Sequence, residues 1–222
     1  MCFSPTASFV TAGLTGTLGI IALTRANGPR EWPLASVPMV FAIQQGIEGL
    51  LWLDLPSGPT GSTAIGLPLL FLLFAEVFWP VYAPITILLV EPSAARRHLM
   101  LLCLAVGLGA SSYLLWRILA GPHGAILVEG HIVYYTGGRL SNAVGVAYLA
   151  ATGVSGMLSS RRTLAALGTV ILMGSAAAYV LYWEAFVSVW CFFAAVASVM
   201  ILWHIEWSRW QRLRIARAFR DV

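Results

Sequence analysis

Residues 41–53 read FAIQQGIEGLLWL. The run is apolar enough to lie in a bilayer, yet it carries Gln44, Gln45 and Glu48. At helical spacing Gln44, Glu48 and Trp52 share one face, with Gln45 beside it. A carboxylate at membrane depth faces the protein interior or a wet cavity rather than lipid. The stretch therefore predicts a membrane helix with one polar face, and a chain that must give that face something to meet.

Composition agrees. Of 222 residues, 59% are hydrophobic and 10% charged, against about a quarter charged in soluble domains. Spans of about 20 apolar residues fall at 7–23, 34–53, 64–90, 99–119, 142–158, 164–183 and 186–203. The expected fold is all-α, a polytopic membrane protein of seven transmembrane helices. Residues 1–208 form one membrane domain and residues 209–222 a basic cytoplasmic tail, since no polar linker or repeat divides the chain.

The basic residues set the direction. There are thirteen Arg and no Lys. Eleven follow spans 1, 3, 5 and 7, namely Arg25, Arg30, Arg96, Arg97, Arg161, Arg162 and five beyond residue 208. Only Arg117 and Arg139 occupy the alternate loops. The positive-inside rule then places the N-terminus outside and the C-terminus in the cytoplasm. Arginines at helix ends are not a groove-binding motif, so no nucleic-acid partner is expected. Membrane lipids are, with the tail resting on the anionic leaflet or simply anchoring topology. The opening MCFSPTASF lacks the charged region of a signal peptide. Cys2, Cys103 and Cys191 are too scattered for a disulfide framework.

A second acid lies in LLFAEVFWPVYAP, residues 72–84. Pro80 has no N–H, which predicts a kink and a freed carbonyl at Glu76. At the helical rise, Glu48 and Glu76 lie about 9 and about 13 Å below the outer ends of their helices. The loop GPHGAILVEGHIVYYTGGR, residues 121–139, predicts a small hairpin or re-entrant cap bearing Glu129 and His131. Glu184 sits at the turn between the last two spans. The outer half thus holds Glu48, Asp54, Glu76, Glu129 and Glu184 against Arg117 and Arg139.

Three arrangements satisfy such an excess of acids. A buried acid pairs with Arg117 or Arg139, or takes a proton. A divalent metal binds them: Glu48, Glu76 and His131, with Glu184 or Glu129 assisting, suit Zn²⁺. Or the acids line an ion or proton path. Gln44, Gln45, Trp52 and Trp79 support this site, and Cys2 lies on the same side as a further zinc ligand. The metal reading implies a metal-dependent membrane hydrolase for a small-molecule or lipid substrate, with a metal-activated water and a carboxylate base. The alternatives are a cation or proton transporter or sensor, and a membrane scaffold whose buried acids are structurally paired. His123 reads as a loop residue, Tyr134 as interfacial and His204 as solvated. Oligomeric state is not encoded in these features.

The segments MCFSPTASF, QQGIEGLLW and EVFWP together resemble an uncharacterised family of bacterial seven-helix membrane proteins beginning Met-Cys-Phe-Ser. That resemblance implies the topology, in a bacterial inner membrane, and no activity. Architecture alone also looks like the alkaline ceramidase and adiponectin-receptor hydrolases. Those use three His, with an HxxxH pair on the seventh helix; here that helix offers only His204, at the opposite end.

Overall fold

The computed structural model describes residues 4–55, 63–128, 130–138, 140–181 and 186–218. Among these the chain forms seven helical rods and one hairpin. The first rods are α1 (Pro5–Arg25) and α2 (Trp32–Asp54). The third is α3 (Thr63–Leu72), a π-helical turn (Leu73–Phe78) and α4 (Trp79–Val90) in unbroken succession. Next come α5 (Ala94–Ala120), β1 (Gly124–Val128) and β2 (His131–Tyr135). The fifth rod is α6 (Asn142–Leu149), a second π turn (Ala150–Val154) and α7 (Ser155–Met157). The last two are α8 (Arg162–Leu181) and α9 (Phe186–Ala218).

Among the described residues four helices are long and apolar enough to cross a membrane: Pro5–Arg25, Trp32–Asp54, Gly66–Val90 and Ala94–Ala120. Their starts follow simple chemistry. Ser4 caps α1, its hydroxyl accepting from the Ala7 N–H at 3.2 Å, with Pro5 in the first turn, where its missing N–H costs nothing. Gly28, at φ 116°, turns the chain between α1 and α2, a conformation that favours glycine. α1 then packs along α2, and α9 lies against α1, α2 and α8. The main core, toward the arginine-rich end, gathers Leu34, Ala35, Trp79, Ile87, Met100, Leu164, Ile201 and Ile205.

Buried polar side chains hold that end. The Glu91 carboxylate accepts from Ser159 Oγ (2.9 Å), Ser160 N (2.9 Å), Ser160 Oγ (2.6 Å) and Ser93 N (3.1 Å). It thereby ties the α4–α5 loop to the α7–α8 loop. Burial alone would raise this carboxyl, but the Ser160, Ser93 and Ser159 donors outweigh it and hold the pKa below the ordinary 4.5. Glu31 is also held low: burial opposes, but Arg212 and Asn27 prevail. Arg212 reaches Glu31 at 2.9 Å, and Arg25 reaches Glu206 at 3.5 Å. His204 is buried and hydrogen-bonded to Thr163; the expectation of a solvated histidine is corrected, because α9 turns it inward against α8.

α9 continues without a break to Ala218, so residues 209–218 of the expected tail prolong the last helix. At 1.5 Å per residue its 33 residues span about 50 Å.

Candidate functional site

The opposite end of the bundle carries the polar face predicted on α2. Gln44, Gln45, Glu48 and Trp52 are all buried. Gln45 Nε2 donates to Glu48 Oε2 at 3.3 Å. Trp79 Nε1 donates to Gln44 Oε1 at 2.7 Å while its ring stacks on Phe41 at 4.2 Å. Trp79 is thus a buried partner of α2.

Glu76 sits in the π turn, and the turn explains where the missing proton of Pro80 matters. In a π register each N–H reaches back five residues, so the donor absent at Pro80 would have served Ala75. Tyr148 of α6 takes its place, its hydroxyl donating to the Ala75 carbonyl at 2.7 Å. Ser111 of α5 donates to the Val77 carbonyl at 2.6 Å. The sequence expectation placed the freed carbonyl on Glu76 through a four-residue register; the side chains that arrive cap Ala75 and Val77. α5 comes this close because Gly107 has no side chain: a Cβ there would run into the Pro80 carbonyl oxygen.

The predicted cap is a two-stranded antiparallel hairpin, Gly124 opposite Tyr135 and Val128 opposite His131. It seats on α2 and α3. Ile132 is buried with Ile47, Leu51, Trp52 and Phe71, and Tyr134 lies flat on Phe71 at 4.3 Å. Tyr134 is therefore a packing residue of the cap. One arginine anchors the strand's exit. Arg117 Nη2 donates to the carbonyls of Gly137 (2.6 Å), Gly138 (2.8 Å) and Thr136 (3.3 Å). Gly137 and Gly138 hold φ of 66° and 72°, which lets three successive carbonyls turn toward one guanidinium.

Arg117 is also within electrostatic reach of Glu76, and Glu76 of Tyr148. Arg117 and Glu76 form no ion pair: the two ion pairs among the described residues are both at the other end. Glu76 Oε2, Arg117 Nη1 and Trp52 Nε1 are buried atoms with no hydrogen-bond partner among the described residues. Buried polar groups left so need water or a ligand.

Among the described residues no three His, Cys, Asp or Glu side chains gather as a metal-holding group. Glu48, Glu76 and His131 do not make one by themselves. His131 opens β2 and is half-buried. Glu129, Glu184, Cys2 and Arg139 lie outside the described residues. Sequence reasoning did not anticipate Tyr148 or Ser111 at this site, and neither carries a local signal that would have.

A family profile matches residues 1–217. The chain belongs to the family of unknown function DUF6629. No curated protein and no solved structure shows significant similarity to it. Membership in DUF6629 covers the polar face of α2, the π turn and the cap alike, and brings no activity with it.

Proposed function

We propose that the protein binds a small cation in an outward-facing site centred on Glu76, as the binding step of a membrane transporter or sensor. The supporting observation is a single one. Glu76 Oε2 is buried with no hydrogen-bond partner among the described residues, while Arg117 directs the hydrogen bonds of its Nη2 at the cap. An intramembrane carboxylate so arranged is a functional group by default. π turns recur at functional sites because they re-aim side chains that a regular helix would direct elsewhere. The cap seats on α2, the helix whose buried polar face carries Gln44, Gln45 and Glu48. Seven spans with the N-terminus outside fit the eleven-to-two arginine split. This orientation turns the Glu76 end away from the cytoplasm.

The metal reading competes on the same residues. It requires Glu184 or Glu129 to join Glu48 and Glu76, and its hydrolase version requires a metal-held water. The scaffold reading leaves the unsatisfied atoms without a purpose.

The test is the thermal stability of purified protein across a cation panel: proton, Na⁺, K⁺, ammonium, Mg²⁺ and Zn²⁺. One of these is expected to raise the melting temperature of the wild type and not that of Glu76→Gln, since a ligand stabilises only the state it binds. A panel without effect, or equal shifts in both proteins, refutes the proposal. A stoichiometric divalent ion by elemental analysis, lost in both Glu48→Gln and Glu76→Gln, would put the metal reading in its place.

A further inference from the structure

α9 carries two opposed stripes at the arginine-rich end. Ile201, Ile205 and Ser208 are buried against the bundle, and Arg212, on the same stripe, is ion-paired to Glu31. The stripe roughly opposite reads Trp203, Trp207, Trp210 and Arg214, at spacings of four, three and four. All three indoles are exposed, Trp203 by 64%. They stack on one another rather than splay: Trp203 and Trp207 at 6.5 Å and 9° between planes, Trp207 and Trp210 at 5.1 Å and 29°. The guanidinium of Arg214 lies over the Trp210 ring, 4.4 Å from its centre. The column thus ends on a cation already held flat on a ring.

The charges around it are one-sided. Among the described acids at this end, Glu31 and Glu206 are ion-paired and Glu91 is enclosed by its serine donors. Neither Arg209 nor Arg214 has an acidic partner among the described residues. An exposed indole column suits the boundary between hydrocarbon and headgroups. A guanidinium stacked on its polar end keeps its N–H edge for a phosphate, with little freedom left to lose.

We propose that the Trp203–Trp207–Trp210 column and Arg214 form a binding site for the phosphate headgroup of an anionic lipid. The indoles pack beside the acyl chain and glycerol, and Arg214 takes the phosphate. A broad attraction between arginines and an anionic leaflet would hold the tail loosely and at no one place. The stacked column instead gives one residue a defined role, and that is what distinguishes the two. The proposal is independent of the cation site.

Purified protein is exchanged into nanodiscs of phosphatidylcholine with one-fifth phosphatidylglycerol, and the lipid retained after detergent extraction is measured by native mass spectrometry. Wild-type protein is expected to keep phosphatidylglycerol severalfold over its share in the disc. Arg214→Gln is expected to lose at least half of that enrichment. Trp210→Leu is expected to do the same by removing the platform. Arg97→Gln, which removes one exposed charge elsewhere at the same end, is expected to keep it. No enrichment in the wild type overturns the site, and so does equal loss in Arg97→Gln and Arg214→Gln. If Trp210→Leu does not fold, the Arg214 and Arg97 comparison decides.

Discussion

The Tyr148 hydroxyl donates to the Ala75 carbonyl at 2.7 Å, bridging residues 73 positions apart in the chain. It replaces the backbone donor that Pro80 lacks, and so joins α6 to the π turn that presents Glu76. Removing the hydroxyl while keeping the ring, by Tyr148→Phe, should cost about 0.5–1.5 kcal/mol. The loss would appear as a lower melting temperature in detergent. A variant as stable as the wild type would show that water caps Ala75 just as well.

Pro80→Ala restores the missing N–H. The third rod should then relax toward regular α register, which turns residues before position 80 by about 100° for each residue gained or lost. The expected result is a protein at least as stable as the wild type with a weakened response to the cation that binds Glu76. Hydrogen exchange at residue 80 checks whether the new donor is used: a protected amide means that it is. An unprotected amide with unchanged cation response would contradict it.

Glu91 makes acid stability measurable. Its folded pKa lies below the ordinary 4.5. Its contribution is therefore complete above about pH 4.5 and is lost as the pH falls through the lower folded value. Glu91→Ala should cost about 2 kcal/mol at neutral pH, since hydrogen bonds to a charged group are the stronger kind. It should also flatten the decline in melting temperature below that pH. Parallel curves for variant and wild type would remove Glu91 from the account.

Arg117→Gln removes the donor that gathers the carbonyls of residues 136–138. Amide exchange through β1 and β2 should quicken severalfold while that of α1 and α2 stays as it was. Arg117→Lys should fall between the two, because an ammonium keeps the charge without the planar fork. Uniform change along the chain would mean a general loss of stability instead.

Orientation is tested by fusions. A reporter after Val222 should read as cytoplasmic and one inserted near Gly124 as external, following the arginine split. The reverse result would turn the Glu76 site toward the cytoplasm.

The residues explain which parts could be read in advance. The polar face of α2 was legible because i, i+4 spacing is a property of one helix, and Gln44, Glu48 and Trp52 obey it. The cap was legible from its glycine-rich ends and weak alternation. The π turn was not: hydrophobic periodicity cannot distinguish a four-residue from a five-residue reach, so the freed carbonyl was assigned to Glu76 instead of Ala75. Tyr148, Ser111 and Glu91 were missed for a different reason. Each looks like an ordinary helix or helix-end residue, and its role exists only through a partner 34 to 73 positions away. His204 was misjudged because polar-tipped side chains near a helix end pack inward as readily as outward.

Arg117 belongs to two structures at once. One of its nitrogens fastens the outgoing end of the hairpin, and its charge acts on Glu76. The hairpin cannot be lifted from its seat without releasing that nitrogen, and a released guanidinium no longer acts on the carboxylate from the same place. The seating of the hairpin's outgoing end and the placing of the guanidinium charge are thereby joined in a single side chain.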